Sequence, residues 1–203
     1  MIEGINEKPM QERLQHLYAV ISGQRFLQKK GLGNEVPFFI CPFKPEESVE
    51  MARLQLQLIK RLEQTSIRTL DINLYDLSLE ILKERGIWNQ IIEMEASFSK
   101  EELKGLLQGV LDVETHLVPA IATKLATTDF EVLFLCGIGE VFPYIRSHNV
   151  LNNLQSTAKV KPTVMFFPGA YTHSEELGAS LDLFGKLHDD QYYRAFNIFY
   201  CEV

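Results

Sequence analysis

The chain has 203 residues, 46% of them hydrophobic and 23% charged, with a formal net charge of −7 and a pI of about 5.3. This length is sufficient for one domain with a proper hydrophobic core. The acidic balance argues against broad contact with a nucleic-acid backbone, which requires a basic face, but it leaves a local basic patch open. No stretch approaches the roughly 20 consecutive apolar residues that span a bilayer, so we expect no membrane segment.

The first residues, MIEGINEKPMQERLQHL, begin acidic and amphipathic, and we expect no signal peptide. The three cysteines, Cys41, Cys136 and Cys201, are odd in number and far apart. This usage predicts buried free thiols in a reducing compartment, and therefore a cytoplasmic protein. A zinc site made by these cysteines and a histidine is the alternative, but the sequence contains no C-x-x-C pair.

The first elements in chain order are a helix, a strand and a second helix. Residues 9–22 have apolar residues at helical spacing, and Gly23 stands where a helix should stop. Residues 36–41 are almost wholly apolar, which is typical of a strand buried on both faces, and we expect Pro42 and Pro45 to close it. The helix predicted over 46–64 directs four apolar side chains inward: Val49, Leu54, Leu58 and Leu62.

The middle of the chain is predominantly helical. Residues 68–74 alternate like a strand, and a short helix over 76–84 is stopped at Gly86. Residues 88–126 have no strand signal. Within this block Ser99, before two glutamates, is a predicted N-cap, and Pro119 a predicted kink or break.

The last part contains three further predicted strands, at 131–136, 163–167 and 196–201. A helix over 141–155, with a break near Ser147, separates the first two, and a long irregular stretch to about residue 190 precedes the last. Strands separated by helices require parallel crossovers. The sequence therefore predicts a single three-layer α/β domain over 1–203, with a mostly parallel sheet of about five strands. A helical insertion, at about 88–126, lies between its second and third strands.

A glycine turn, Gly137-Ile138-Gly139, follows the predicted strand 131–136. Ligands of parallel α/β sheets usually lie at such strand ends, and a helix N-terminus there would favour an anion. The dinucleotide fingerprint needs a third glycine, but that position is Phe142, and the charge of Glu140 would repel a phosphate. The G-x-x-x-x-G-K-[ST] pattern is absent from the sequence. A tight turn is therefore favoured over a nucleotide site.

Histidines and cysteines offer little catalytic pattern. None of the five histidines forms an H-x-x-x-H or H-E-x-x-H arrangement. The pair most able to converge shares the long loop with Asp189 and Asp190: His173 and His188. No G-x-S-x-G elbow is present. We expect no metal site and no cofactor.

Two groups of basic residues are candidates for partner binding. A strip on the 46–64 helix, continued by Arg68, is explained either by a solvated face or by contact with an acidic partner: Arg53, Lys60 and Arg61. Arg146 and Arg194 lie among aromatic residues, in PYIR and YYRAF. A guanidinium in such a setting can stack on rings and clamp a carboxylate. Pairing of either arginine with Asp189, Asp190 or Glu140 is an equal alternative.

The segments GIGEVFPYIRSHNVL, VMFFPGAY and LDLFGKLHDDQYYRAF, with the opening FLQKKGLGNEVPFFI, resemble the BrxB family of BREX bacteriophage-defence systems. The order and spacing match over nearly the full chain, and the 88–126 block is the least distinctive part. The motif residues are Gly137, Gly139, Phe142, Pro143, Arg146, Pro168, Gly169, Tyr171, Tyr192, Tyr193 and Arg194.

The resemblance implies an accessory, non-enzymatic subunit that helps to assemble a defence complex. The family accompanies an ATPase, an adenine methyltransferase and the alkaline-phosphatase-like protein PglZ. The resemblance therefore implies PglZ as the direct partner, with other BREX components as further partners. We expect the partner-binding face to contain Arg146, Tyr171, Tyr193 and Arg194, because arginine and aromatic residues dominate interface hot spots. The alternative is a small-molecule or nucleotide-responsive module that uses the Gly137–Gly139 turn, and DNA binding by the basic strip is a third reading.

Overall fold

The fold is that of a computed structural model, which describes residues 5–29, 37–174, 178–185 and 195–203. The strands are β1 Phe38–Phe43, β2 Thr69–Asn73, β3 Val132–Cys136, β4 Thr163–Ser174, β5 Gly178–Leu183 and β6 Phe196–Asn197. Five of them form a parallel sheet in the order β2-β3-β4-β1-β6, and β5 pairs antiparallel with β4. The predicted α/β class with a mostly parallel sheet is confirmed.

Helices connect the parallel strands and cover both faces of the sheet. Their bounds are α1 Met10–Ser22, α2 Gln24–Leu27, α3 Ser48–Gln64, α4 Leu74–Glu84, α5 Trp88–Met94, α6 Lys100–Val110, α7 Val118–Thr127 and α8 Ser147–Leu154. A π-helical turn, Val113–Leu117, leads into α7. Within the described part of the chain, no helix has the length and apolarity needed to cross a bilayer.

Two hydrophobic clusters lie on opposite faces of the sheet, because successive strand residues point to opposite sides. In β3, Leu133 and Leu135 belong to the cluster covered by α4, α7 and α8, whereas Val132 and Phe134 belong to the cluster covered by α1 and α3. The central strands are apolar on both faces for this reason. The helices and the sheet thus form three layers.

Several predicted helix ends are confirmed. Ser99 caps α6 through a reciprocal pair of hydrogen bonds with Glu102, and Gly23 terminates α1. Gly86 follows α4 with a φ of +69°, a conformation that glycine adopts without strain. The predicted break at Pro119 corresponds to the start of α7, where proline occupies the first turn.

The predicted end of the first strand and one inward side chain are wrong. β1 continues through Pro42 to Phe43. Because β6 pairs with β1 only at Phe39 and Ile40, Pro42 has no partner strand on that side within the described residues, and its missing amide hydrogen is tolerated. Val49 is 60% exposed. It lies two positions from the buried Met51, a separation that places the two side chains on opposite sides of a helix.

The helix predicted over 141–155 is correct only from Ser147 onward. Residues 141–146 form turns, because Pro143 supplies no amide hydrogen and disfavours helical geometry at the preceding Phe142. The Phe142–Pro143 peptide bond is cis. The predicted helix N-terminus directly after the glycine turn therefore does not exist.

The predicted irregular stretch after Pro168 is also wrong in its first half. β4 continues to Ser174 and pairs with β5, and the Phe184 amide donates to the Pro168 carbonyl at 2.9 Å. The last strand is shorter than predicted. After Asn197 the chain forms a 3-10 turn, because the Asn197 side chain accepts a hydrogen bond from the Phe199 amide at 3.0 Å.

Candidate functional site

The glycine turn lies where β2 and β3 end side by side. Gly137 has a φ of +77°, and a Cβ atom there would lie 2.5 Å from the Asn73 Oδ1 atom. That same oxygen accepts hydrogen bonds from the amides of Tyr75, at 2.8 Å, and Asp76, at 3.2 Å, and so caps α4. The absence of a side chain at position 137 is thus what allows β3 to turn directly against the cap of α4.

This packing does not favour a phosphate-binding site at the turn. The Asn73 side chain already occupies the start of α4, and turns rather than a helix follow Gly139. The helix dipole that would attract an anion after a glycine turn is therefore missing. Glu140 is exposed at the same place and adds a negative charge.

Gly139 lets the middle of β4 approach the glycine turn, and Gly169 lets β5 approach β4. A Cβ atom on Gly139 would lie 3.0 Å from the Phe184 ring and 3.1 Å from Pro168. A Cβ atom on Gly169 would lie 2.1 Å from the Asp182 carbonyl oxygen across the β4–β5 pair. The Phe142 ring meets the Phe184 ring edge to face, with centroids 6.3 Å apart. Gly139 and Phe142 therefore pack against the Phe184 ring, and Gly139 also lies beside Pro168.

The four predicted partner-binding residues are not all exposed together. Arg146 is exposed at the N-cap position of α8. Tyr171 is only 7% exposed, and its hydroxyl donates to the Ala195 carbonyl at 2.6 Å. Burial raises the pKa of Tyr171 to about 12. Its expected position on an exposed face is wrong, while Tyr193 and Arg194 lie outside the described residues.

Two tyrosines that the sequence patterns do not indicate lie at this end of the sheet. Tyr75 follows β2 and is 39% exposed, and Tyr144 follows the glycine turn and is half-buried. Burial raises the pKa of Tyr144 to about 12, and the neighbouring Tyr75 and Glu140 add to the shift. The ends of neighbouring parallel strands meet, and this rule could have placed the two tyrosines together. We define the strand-end face as Tyr75, Glu140, Tyr144 and Arg146.

A polar cluster, which the sequence patterns also do not indicate, lies beside the same strands. The Asp71 Oδ1 atom accepts a hydrogen bond from Gln55 Nε2 at 2.7 Å and lies 3.8 Å from Cys136 Sγ. Partial burial raises the pKa of Asp71, although hydrogen bonds from Cys136 and Gln55 oppose the shift. Burial and the Asp71 charge raise the pKa of Cys136 to about 12. This thiol is therefore protonated at neutral pH and is a poor nucleophile.

The other two cysteines have the same character. Both are free thiols; Cys41 is fully buried and Cys201 partly so. Burial raises the pKa of Cys41 strongly and that of Cys201 to about 11. Among the residues that the structure describes, no group of three or more histidine, cysteine or acidic side chains is arranged to hold a metal ion. The suggested convergence of His173 and His188 falls on side chains outside the described set.

The basic strip divides into engaged and free residues. The Arg61 guanidinium lies 4.5 Å from the centroid of the Tyr18 ring. Arg68 forms ion pairs with Asp129 and Glu131, across the start of β2 and β3. Arg53 and Lys60 are exposed, and neither belongs to an ion pair within the described residues.

Comparison with known proteins gives a consistent match. The family model of BREX protein BrxB matches residues 70–198. A BREX protein BrxB of Bacillus cereus (strain H3081.97) is 35% identical over 191 residues, which cover 92% of this chain and 96% of that protein. Another, of Escherichia coli O9:H4 (strain HS), is 27% identical over 189 residues, which cover 93% and 91%. No solved structure matches the chain.

Proposed function

Because the chain belongs to the BrxB family of BREX phage-defence proteins, we propose that it is a non-enzymatic accessory subunit of a BREX complex that binds a partner protein. The observation that carries this proposal is the similarity to BREX proteins over nearly the whole chain. The partner is a PglZ-like protein or another BREX component. We place this assembly in the cytoplasm, in accord with the free thiols.

The chemistry at the strand ends supports a binding role over catalysis. The Cys136 thiol is kept protonated, and the glycine turn is filled by the Asn73 side chain. Pre-organised groups that await a reacting atom are the usual sign of catalysis, whereas the polar atoms of Asp71 and Asn73 already have partners.

The strand-end face is the proposed contact surface. It combines an exposed arginine, Arg146, with the partly exposed ring of Tyr75, residue types that are enriched in interface hot spots. Tyr193 and Arg194 stay in the proposal on sequence grounds alone. Tyr171 is not part of the proposed contact surface, because its ring is buried and its hydroxyl is hydrogen-bonded within the protein.

Affinity purification tests the proposal directly. The tagged chain is purified from cells that express its whole BREX operon, and the recovered proteins are identified and quantified by mass spectrometry. Stoichiometric recovery of the PglZ-like protein or another BREX component is the expected result. Recovery of the chain alone, with every other component expressed, would contradict the proposal.

The contact surface is tested by Arg146→Ala, with Lys159→Ala as the control because Lys159 is another exposed cation. We expect the first variant to lower recovery of the partner and the control to leave it unchanged. Equal recovery with both folded variants would remove the strand-end face from consideration.

The alternative function, a nucleotide-responsive module at Gly137–Gly139, predicts thermal stabilisation by its ligand. A ligand at 100 times its dissociation constant stabilises the folded state by about 2.7 kcal/mol. We expect no such shift with ATP, GTP, NAD or S-adenosylmethionine, because the start of α4 is already capped by Asn73.

A further inference from the structure

One exposed feature plays no part in the strand-end face: the outer side of α3. Positions 49, 53, 56 and 60 lie within an arc of about 60° on a helix, because each step of three or four residues completes nearly one turn. They form a straight line about 16 Å long. We call them the α3 stripe: Val49, Arg53, Leu56 and Lys60.

The α3 stripe is apolar and basic at once. Val49 is 60% exposed and Leu56 is 58% exposed, so two large aliphatic side chains about two helical turns apart face solvent. Arg53 lies between them, and Lys60 follows one turn after Leu56. Single exposed aliphatic residues are common on protein surfaces, but a line of them that alternates with cations is typical of a protein-binding surface.

The charge of the stripe contrasts with that of the protein. The chain carries a net charge of −7, yet Arg53 and Lys60 belong to no ion pair in the described residues. The adjacent Arg61 and Arg68 are instead engaged with Tyr18 and with the acidic pair Asp129 and Glu131. Within the basic strip, Arg53 and Lys60 are therefore the cations that have no ion pair or ring contact in the described residues, and they alternate with the exposed aliphatic residues.

We propose that the α3 stripe docks a protein surface on which apolar side chains alternate with acidic ones. The proposal rests on the proposed function, since it adds a second contact surface to a subunit of an assembly. Charge complementarity selects an acidic partner, and the aliphatic residues select a protein over a nucleic acid, whose phosphates offer Val49 and Leu56 nothing to bury against. A second copy of this acidic chain is disfavoured by net charge.

The stripe and the strand-end face belong to opposite layers of the fold. The buried side of α3 contributes Leu54 and Leu58 to one hydrophobic cluster, whereas Ile145 and Val150, next to Arg146, belong to the cluster on the other face of the sheet. A partner on α3 therefore leaves the Arg146 side uncovered. The subunit bridges two protein surfaces.

The test uses two double variants of the tagged full-length chain in cells that express the whole operon. Val49→Ser with Leu56→Ser removes the apolar contacts, and Arg53→Glu with Lys60→Glu reverses the charge. We expect each to lower recovery of the same BREX component by about tenfold or more, at unchanged urea midpoint, because all four side chains are exposed. Recovery by the wild-type chain should also fall between about 0.05 M and 0.5 M salt.

Matched controls make the same changes elsewhere. Ile92→Ser with Met94→Ser alters two side chains that are 49% and 50% exposed, and Lys100→Glu with Lys159→Glu reverses two exposed cations. Recovery equal to the wild type with these controls and reduced with the stripe variants supports the proposal.

Four results would overturn the proposal. Full recovery of every component by both folded stripe variants removes the stripe as a docking surface. If only the charge variant loses recovery of the component, and nuclease treatment also abolishes recovery by the wild type, the stripe binds nucleic acid. If the wild type self-associates and the stripe variants are monomeric, the stripe binds a second copy of the chain. If the wild-type chain recovers no component, the proposed function falls first and this inference falls with it.

Discussion

Helices α3 and α6 have similar amphipathic sequences but very different surroundings. α3 buries five side chains against the sheet and α1, whereas α6 buries none, and its leucines are only partly covered at the edge of the other cluster. The periodicity of a helix shows that it has an apolar side, but not how completely that side is covered. We therefore expect α3 to contribute strongly to the stability of the fold and α6 to contribute little.

The largest contrast is expected from one truncation made in both helices. Leu58→Ala should lower the free energy of unfolding by about 3 kcal/mol, because Leu58 is fully buried and its loss leaves a cavity. Leu107→Ala, at a partly exposed site, should cost about 1 kcal/mol. Urea unfolding monitored by circular dichroism measures both free energies, and equal losses would contradict the larger contribution of α3 to stability.

The starts of the two helices provide a second contrast. The Arg13 guanidinium, buried in α1, donates to both Glu47 carboxylate oxygens at 2.9 Å, just before α3 begins. Arg13→Ala should lower the free energy of unfolding by about 2 kcal/mol. This is less than the usual loss for a fully buried ion pair, because Glu47 is partly exposed. Ser99→Ala, which removes the cap of α6, should cost about 1 kcal/mol in the same urea assay. A larger loss of unfolding free energy with Ser99→Ala than with Arg13→Ala would contradict the larger contribution that we assign to α3.

Mild acid should act on the α3 side of the sheet. Burial lowers the pKa of His16, in α1, below 6.5, although a hydrogen bond with the Ile198 backbone opposes the shift and the charge of Lys8 adds to it. Below pH 6.5 the unfolded chain therefore binds a proton that the folded protein does not, and stability falls by at most about 1.4 kcal/mol per pH unit.

Urea midpoints at pH 7.5 and 5.5 measure this loss, and His16→Gln should reduce it. The lowered pKa of Glu47 acts below pH 4.5 and does not interfere. An identical pH dependence in wild type and variant would show that His16 is not responsible.

The smallest effect is a gain in α6. Gly105 lies inside the helix, and nothing lies within 4 Å of the Cβ atom that a substitution would add. Gly105→Ala should raise the free energy of unfolding by about 0.5–1 kcal/mol through helix propensity alone. A loss of stability would mean that α6 is packed more tightly than its exposure indicates.

Local signals predicted the strongly patterned elements. The apolar runs of β1 and β3, the periodicity of α3 and the Ser99 cap all follow from short-range chemistry, and each is confirmed. The errors arise where a distant contact overrides a local rule. Pro168 and Gly169 are breakers by type, yet β4 continues through them because β5 pairs there and glycine alone fits beside Asp182.

The site was harder to predict than the fold. The sequence located the glycine turn, but its partner, Asn73, is distant in sequence and meets Gly137 only after β2 and β3 pair. Tyr171 was expected on the surface because its residue type is common at interfaces, and only the contact with Ala195 shows that the ring is internal. The cluster of Gln55, Asp71 and Cys136 likewise joins α3, β2 and β3.

Asp71 has a consequence for how the sheet meets other molecules. β2 is the outermost parallel strand of the described sheet on its side, and a strand in that position offers unpaired backbone groups to any extended chain nearby. A carboxylate in the middle of the strand, held by Gln55, makes addition of a further strand unfavourable. Asp71 thereby opposes edge-to-edge aggregation at β2.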